Sequence, residues 1–385
     1  NPRSPWVTFG TSASGTPYQG PFGKSQAGLN VGQIFLGWHP EDWVNITVGK
    51  MAMPLYTTPM VWDTDYNPEG LAEHFKYKAG DFELFANLGQ FLYEDTNPNK
   101  ASQGYFGVGN LYPSPSGGAA GPVFLLAWQL GAKYNINKDM SFQVAPVVYN
   151  YTGHGANTSQ SASLIEPGFS GVFVGQGATL GAGGKPAAGW SGFPNGAQDG
   201  FTANQTGIND LLVLEFPWEF NFKICQFNAR VFGDYAQNLE GAERARAAAA
   251  AANSLAGVQK ISSAQTQDDK AYQIGLAVGN NLGTAYGVAT PKHGWEFRTY
   301  WQHVEQYALD PNLIDSDFFE GRGNLEGVYA AFAYGFTDNV MGTFRYGHAH
   351  RINGLLGTGG SNQDIPQMNP IEHYDIIQLD LTMRF

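Results

Sequence analysis

The last ten residues, IIQLDLTMRF, place Ile377, Leu379, Leu381, Met383 and Phe385 on every second position. In a β-strand these five share one face, while Gln378, Asp380, Thr382 and Arg384 share the other. One face is apolar, the other ionic. Such a strand fits a half-buried sheet of a sandwich, or a sheet with water on one side and an apolar medium on the other. An apolar face still running at the final Phe385 favours the second.

The same alternation recurs along the chain. It predicts fourteen strands, near 6–10, 29–38, 43–51, 70–78, 82–93, 123–135, 141–151, 210–220, 225–237, 271–282, 295–307, 324–336, 340–351 and 372–385. Most run to nine or more residues, whereas strands of soluble sheets centre near ~5–6 and membrane-crossing strands need ~9–11. The connections at 39–42, 79–81, 136–140, 221–224, 284–294 and 337–339 are mostly short. Those at 11–28, 52–69, 94–122, 152–209, 238–270, 308–323 and 352–371 are long. Short turns on one side and long loops on the other are what a transmembrane antiparallel β-barrel requires, periplasmic and extracellular respectively.

Composition agrees. The chain is 43% hydrophobic and rich in Gly and aromatics, yet no apolar run approaches the ~20 residues of a membrane helix, because lipid-facing and lumen-facing residues cancel in any averaging window. Trp38, Trp43, Trp218, Phe220, Trp295, Phe336 and Phe385 sit at the short-turn ends of their strands; Tyr93, Tyr149, Tyr151, Tyr235, Tyr307 and Tyr346 sit at the long-loop ends. Two aromatic girdles at the membrane interfaces are expected from that placement. A net charge of −12 argues against a nucleic-acid partner. The single cysteine, Cys225, excludes an intramolecular disulfide framework. No basic, apolar leader precedes Asn1, as in a mature exported chain or a trimmed one.

Pro146 and Pro217 fall inside predicted strands and remove a ladder donor each, so bulges are expected there. The Gly-rich stretch 152–209 has room for a further hairpin near 171–181, which would raise the count to sixteen. Residues 240–257, rich in alanine, predict a short helix within an extracellular loop.

Three stretches carry a family resemblance: GKMAMPLYTTPMVWDTDYNPEGLAEHF at 49–75, LIDSDFFEGRGNLEG at 313–327, and the IIQLDLTMRF ending. With them the chain resembles the putative porins of the bacterial outer membrane, and its last strand is similar to the Phe-terminated strand that the outer-membrane assembly machinery reads. The resemblance implies one outer-membrane barrel domain over 1–385, a water-filled channel for ions and small hydrophilic solutes, and a homotrimer. It supplies no solute.

Taking the more apolar parity as lipid-facing directs Phe82, Leu84, Leu130, Phe297, Phe332, Phe344 and Leu379 outward. The pore-lining candidates are Lys76, Glu83, Arg230, Asp234, Glu296, Arg298, Arg345 and Asp380. Ionic side chains belong there, since at the lipid midplane a Lys or Arg costs ~2–4 kcal/mol while a wet lumen hydrates it. Two arrangements are open. In one, Arg230, Arg298 and Arg345 form a basic wall faced by the loop acids Asp63, Asp65, Glu69, Asp315, Asp317 and Glu320, a constriction that would set selectivity. In the other, the arginines pair with strand acids such as Asp234 and Glu296.

Asp63, Asp65 and Asn67 have the D-x-D-x-N opening of a calcium loop, but Pro68 replaces the usual Gly and no Glu stands at the twelfth position. Loop hydrogen bonding competes with calcium there, and no other cofactor is indicated. No G-x-S-x-G nucleophile setting occurs, so no enzyme is expected. Beside passive diffusion stand a substrate-specific channel, for which Phe85, Phe91, Tyr300 and Tyr329 would begin an aromatic lumen track, and a plugged barrel acting as a surface-structural protein or adhesin.

Overall fold

In a computed structural model the described residues are 32–64, 66–93, 123–152, 210–254, 262, 267–283, 291–310, 313–315, 317–319, 321–354, 356, 358 and 371–384. Among these residues the alternation is realised as fifteen strands in one sheet. They are β1 (Ile34–Glu41), β2 (Val44–Lys50), β3 (Glu69–Ala79), β4 (Phe82–Tyr93), β5 (Val123–Asn137), β6 (Met140–Val144), β7 (Val147–Tyr151), β8 (Leu212–Glu215), β9 (Trp218–Ile224), β10 (Phe227–Asn238), β11 (Lys270–Gly279), β12 (Trp295–Val304), β13 (Leu325–Thr337), β14 (Val340–Arg351) and β15 (His373–Met383). Successive strands pair antiparallel around the barrel wall. One helix, α1 (Gly241–Ser254), follows β10, on the alanine-rich stretch. The strand expected at 6–10, the hairpin near 171–181, most of the long loops and Phe385 lie outside the described residues.

The two prolines behave differently from expectation. β6 and β7 form one crossing interrupted at Pro146, β8 and β9 one crossing interrupted at Pro217. Neither interruption shifts the register: β5 pairs Ala132 with Val144 below the break and Gln129 with Val147 above it, and β10 pairs Gly233 with Trp218 and Ala236 with Glu215. The ladder survives because each proline still accepts, Leu130 N–H donating to Pro146 O and Ala145 N–H to Pro217 O. The donor that Pro217 cannot offer to Ala145 O is replaced by the Gln129 amide, 3.1 Å away. No bulge is needed.

Side chains separate as the parity predicts. Leu130, Ile274, Phe332, Phe344 and Leu379 are exposed on the outer face, while Gln129, Gln273, Ala331 and Thr343, the inward neighbours of the first four, are buried. The short turns are tight; Cys225 stands exposed in the two-residue turn between β9 and β10 with φ of 56°. The outer tyrosine girdle needs correction. Tyr235 and Tyr346 do face outward, but Tyr93, Tyr149 and Tyr151 have inward parity and are buried, and Tyr307 is buried in the loop after β12 against Ala245 and Leu356. Tyr149 and Tyr151 reach loop residues, Trp62 and Asp310, and Tyr93 packs on Tyr151.

Candidate functional site: a lumen narrowed by two infolded loops

The loop between β2 and β3 leaves the wall at Met51, whose N–H bonds Pro68 O at 2.9 Å, and turns inward at Thr58, whose carbonyl accepts from Val61 and Trp62. Its apolar residues Met60, Val61 and Trp62 are buried, and Trp62 packs on Phe91 and Tyr149. The polar tip crosses to the far wall. Gln129 on β5 accepts from Tyr56 N–H at 2.9 Å and donates to Tyr56 O at 2.7 Å, copying with one side chain a backbone bridge. Thr57 donates to Glu215 at 2.7 Å, Tyr149 donates to the other Glu215 oxygen at 2.7 Å, and Thr58 donates to Asp234.

A second loop, between β12 and β13, folds in beside the first. Asp63 N–H donates to Leu313 O at 2.6 Å, and Asp315 N–H to Pro59 O at 3.1 Å, so the two loops are stitched backbone to backbone. Phe318 is its anchor, fully buried with its ring 5.9 Å from Tyr300 and 5.3 Å from Tyr329. Gly347 on β14 makes the seat, because a Cβ there would lie 2.5 Å from the Phe318 ring.

The three arginines all point inward. Arg230 pairs with Glu219 at 3.3 Å and donates to Asn221 at 2.9 Å. Arg298 pairs with Glu296 at 2.8 Å and lies over the Phe232 ring. Arg345 pairs with Asp380. The pairing of wall arginines with strand acids is thus present, with Glu219 in the place expected for Asp234, whose carboxylate takes the loop hydroxyl of Thr58. Part of the transverse arrangement is present too. Asp63, Asp315 and Asp317 converge, and Asp317 feels Arg345 across the gap. Burial, then Asp317 and Asp63 beside it, hold the Asp315 carboxyl well above the usual carboxylate range; burial also raises Asp317, while Arg345 works against it.

Glu69 does not belong to this group. It is the first residue of β3, on the outward parity, and is exposed, because pairing with β2 already begins at Lys50. Asp65 and Glu320 lie outside the described residues. Lys76 and Glu83 form a 3.0 Å ion pair on the inner face toward the short-turn end, well below the loops. Of the calcium candidates, Asn67 accepts from Gln33 at 3.0 Å while Asp63 turns toward Asp315. Among the described residues no three His, Cys, Asp or Glu side chains converge on a metal position.

At the short-turn mouth the inner face opens into a polar vestibule of about 390 Å³, lined among others by Asn135, Asp139, Asn221, Lys223 and Arg230. The inside of the barrel therefore runs from this vestibule, past the arginine and carboxylate pairs, to the stitched loops. What sequence reading missed is Gln129, Thr57 and Thr58 as the fastening between loop and wall. An inward Gln in an apolar-outward strand was the one available signal.

Residues 12–181 and 198–385 match the family model described as a putative porin. The chain belongs to that family. Its place is the bacterial outer membrane, which it crosses as an antiparallel β-barrel, and its family is one of channels. No curated protein matches this porin. Solved structures similar to it include outer-membrane OmpT of Vibrio cholerae, at 10% identity and a TM-score of 0.35 over 90% of this chain and 77% of that one. OprD of Pseudomonas aeruginosa has 12% identity and a TM-score of 0.35 over 88% of this chain; the porin spans 63% of OprD's length. A structure titled CymD monoaromatic hydrocarbon channel has 10% identity and a TM-score of 0.31, covering 91% and 81%.

Proposed function

We propose that this porin is a passive diffusion channel for ions and small hydrophilic solutes, with no chemical step and no cofactor. The observation that carries the reading is the contrast between an apolar outer belt and an inner face of ion pairs, amides and a polar vestibule. A lumen built to stay dry would not spend Arg230, Glu219, Lys76 and Glu83 on half-hydrated positions, since a wet lumen is what makes such residues cheap. Arg230, Arg298 and Arg345 are each matched by a strand acid, so the excess charge at the narrowing is acidic and comes from Asp63 and Asp317 more than from Asp315, whose ionised form burial disfavours, and cations are preferred. Outer-membrane lipid surrounds the barrel, three copies assemble, and the alternating Ile377-to-Phe385 ending serves as the assembly signal.

A substrate-specific channel is supported by one separate observation, the aromatic groups Trp62, Phe91, Tyr149 and Tyr300, Phe318, Tyr329 on the inner side. In their present contacts they anchor loops, which favours diffusion. The deciding experiment is single-channel conductance of the purified protein in a planar bilayer under a salt gradient. Stable ohmic steps with a cation-selective reversal potential are expected, and block of the current by one solute class at low concentration would move the reading to the specific channel. A heat-modifiable, folded barrel that conducts nothing would overturn both and leave a plugged surface protein.

A further inference from the structure

The vestibule at the short-turn mouth is an organised cup. Asn135 on β5, Ser141 on β6, Asn221 on β9 and Arg230 on β10 stand abreast in register on the inward parity, with Lys223 and Asn228 one row nearer the mouth. Neighbours in such a row are ~4.5–5.5 Å apart, so their polar ends line one concave wall. The cup holds about 390 Å³, within the ~300–1,000 Å³ of small-ligand sites. Its strand cations are already matched, Lys223 by Asp139 at 2.7 Å and Arg230 by Glu219 at 3.3 Å. Lys138 stands on the turn at the rim. An ion therefore finds little net field inside, and what remains on offer is hydrogen bonding.

The uncommitted groups are of both kinds. Arg230 uses its Nε on Asn221 and Glu219, which leaves both terminal amino groups as donors. The Asn135 amide donates to Asp81 O at 3.4 Å and the Asn228 amide to Asn280 O at 3.3 Å. Their side-chain carbonyls and the Ser141 hydroxyl have no partner among the described residues. A guanidinium end, two amide acceptors and a hydroxyl on one wall match groups that each donate and accept, as every sugar hydroxyl does. We propose that this cup is a weak binding site for neutral polyhydroxylated solutes of sugar type, on the short-turn side of the narrowing. The inference rests on the wet lumen of the channel reading and names a solute class for it. Four hydrogen bonds of ordinary strength set the dissociation constant at about 1 mM. A solute held that weakly still leaves, and passage stays diffusive.

The test uses the full-length barrel in an amine-oxide detergent, which carries no sugar. Methyl β-glucoside is the neutral probe and methyl β-glucuronide its anionic counterpart, and saturation-transfer NMR reads their binding without any current. The glucoside is expected to saturate near that constant, unchanged in high salt and in Lys138→Ala. Asn135→Leu combined with Asn228→Leu removes both acceptors and is expected to weaken binding about tenfold at unaltered heat-modified mobility. Ser141→Ala, which touches no ladder bond, is the milder variant and is expected to weaken it about threefold. No glucoside signal overturns the proposal. So does a glucuronide that binds more tightly and is displaced by salt, which would make the cup an anion site. Glucoside binding that both cup variants leave intact overturns it as well. Glucoside binding by a barrel that passes no current supports the cup and overturns the diffusion reading alone.

Discussion

Gln129 is buried and has every amide atom committed: it bridges Tyr56 in both directions, accepts from Asn87 at 2.7 Å, and fills the donor position that Pro217 leaves empty. Gln129→Leu keeps the volume and strands these partners. Each unsatisfied buried group costs about 1–3 kcal/mol, so the loop tip is expected to detach before the barrel melts, seen as noisier single-channel current at an unchanged heat-modification temperature. Asp315 makes a second residue-scale case. Its raised pKa means that the folded loop prefers the neutral carboxyl. The stability it contributes is full below the ordinary carboxylate pKa and is lost as pH rises through the raised value. The loop is thus tightest in acid and loosens toward alkaline pH. Protease cleavage in the β12–β13 loop should rise with pH in the wild type, and Asp315→Asn should flatten that rise.

At the scale of elements, the strands were legible because a period of two survives any register; β4 and β14 occupy the expected spans, 82–93 and 340–351, residue for residue. The prolines were legible as missing donors, but the response was not, since it depended on a glutamine one strand away. The loops were the least legible. Acidity at Asp315 and Asp317 could be read, whereas Phe318 as the anchor could not, because its seat, Gly347, lies in another strand and is recognisable only by the ring that fills it. That contact gives the element-scale prediction. Gly347→Val puts a side chain into the Phe318 ring, and the β12–β13 loop is expected to leave the lumen while β13–β15 stay paired. Conductance should rise and cation selectivity fall, since Asp317 leaves with the loop. An unchanged current would show that this loop does not limit passage.

For the whole molecule, the decisive property is that one sheet has two unlike faces, an apolar one toward hydrocarbon and an ionic one that, on the proposed reading, meets water. The mean hydropathy of −0.27 conceals this, because averaging mixes Leu379 with Gln378 and Asp380. The two faces are best told apart by giving the same side chain to both. Leu379 is 80% exposed on the outer face opposite Phe344, and Leu379→Arg puts a cation into the belt at a cost of about 2–4 kcal/mol near the midplane. Gln143 faces inward between Lys133 and Glu219, so Gln143→Arg meets water and a carboxylate and carries no comparable loss. Urea unfolding of the two variants in lipid vesicles, followed by heat-modified mobility, is expected to separate them by that amount. Equal stabilities would mean that the ionic face is no wetter than the apolar one. The water-filled lumen, and with it the channel, would then have no physical basis in this sheet.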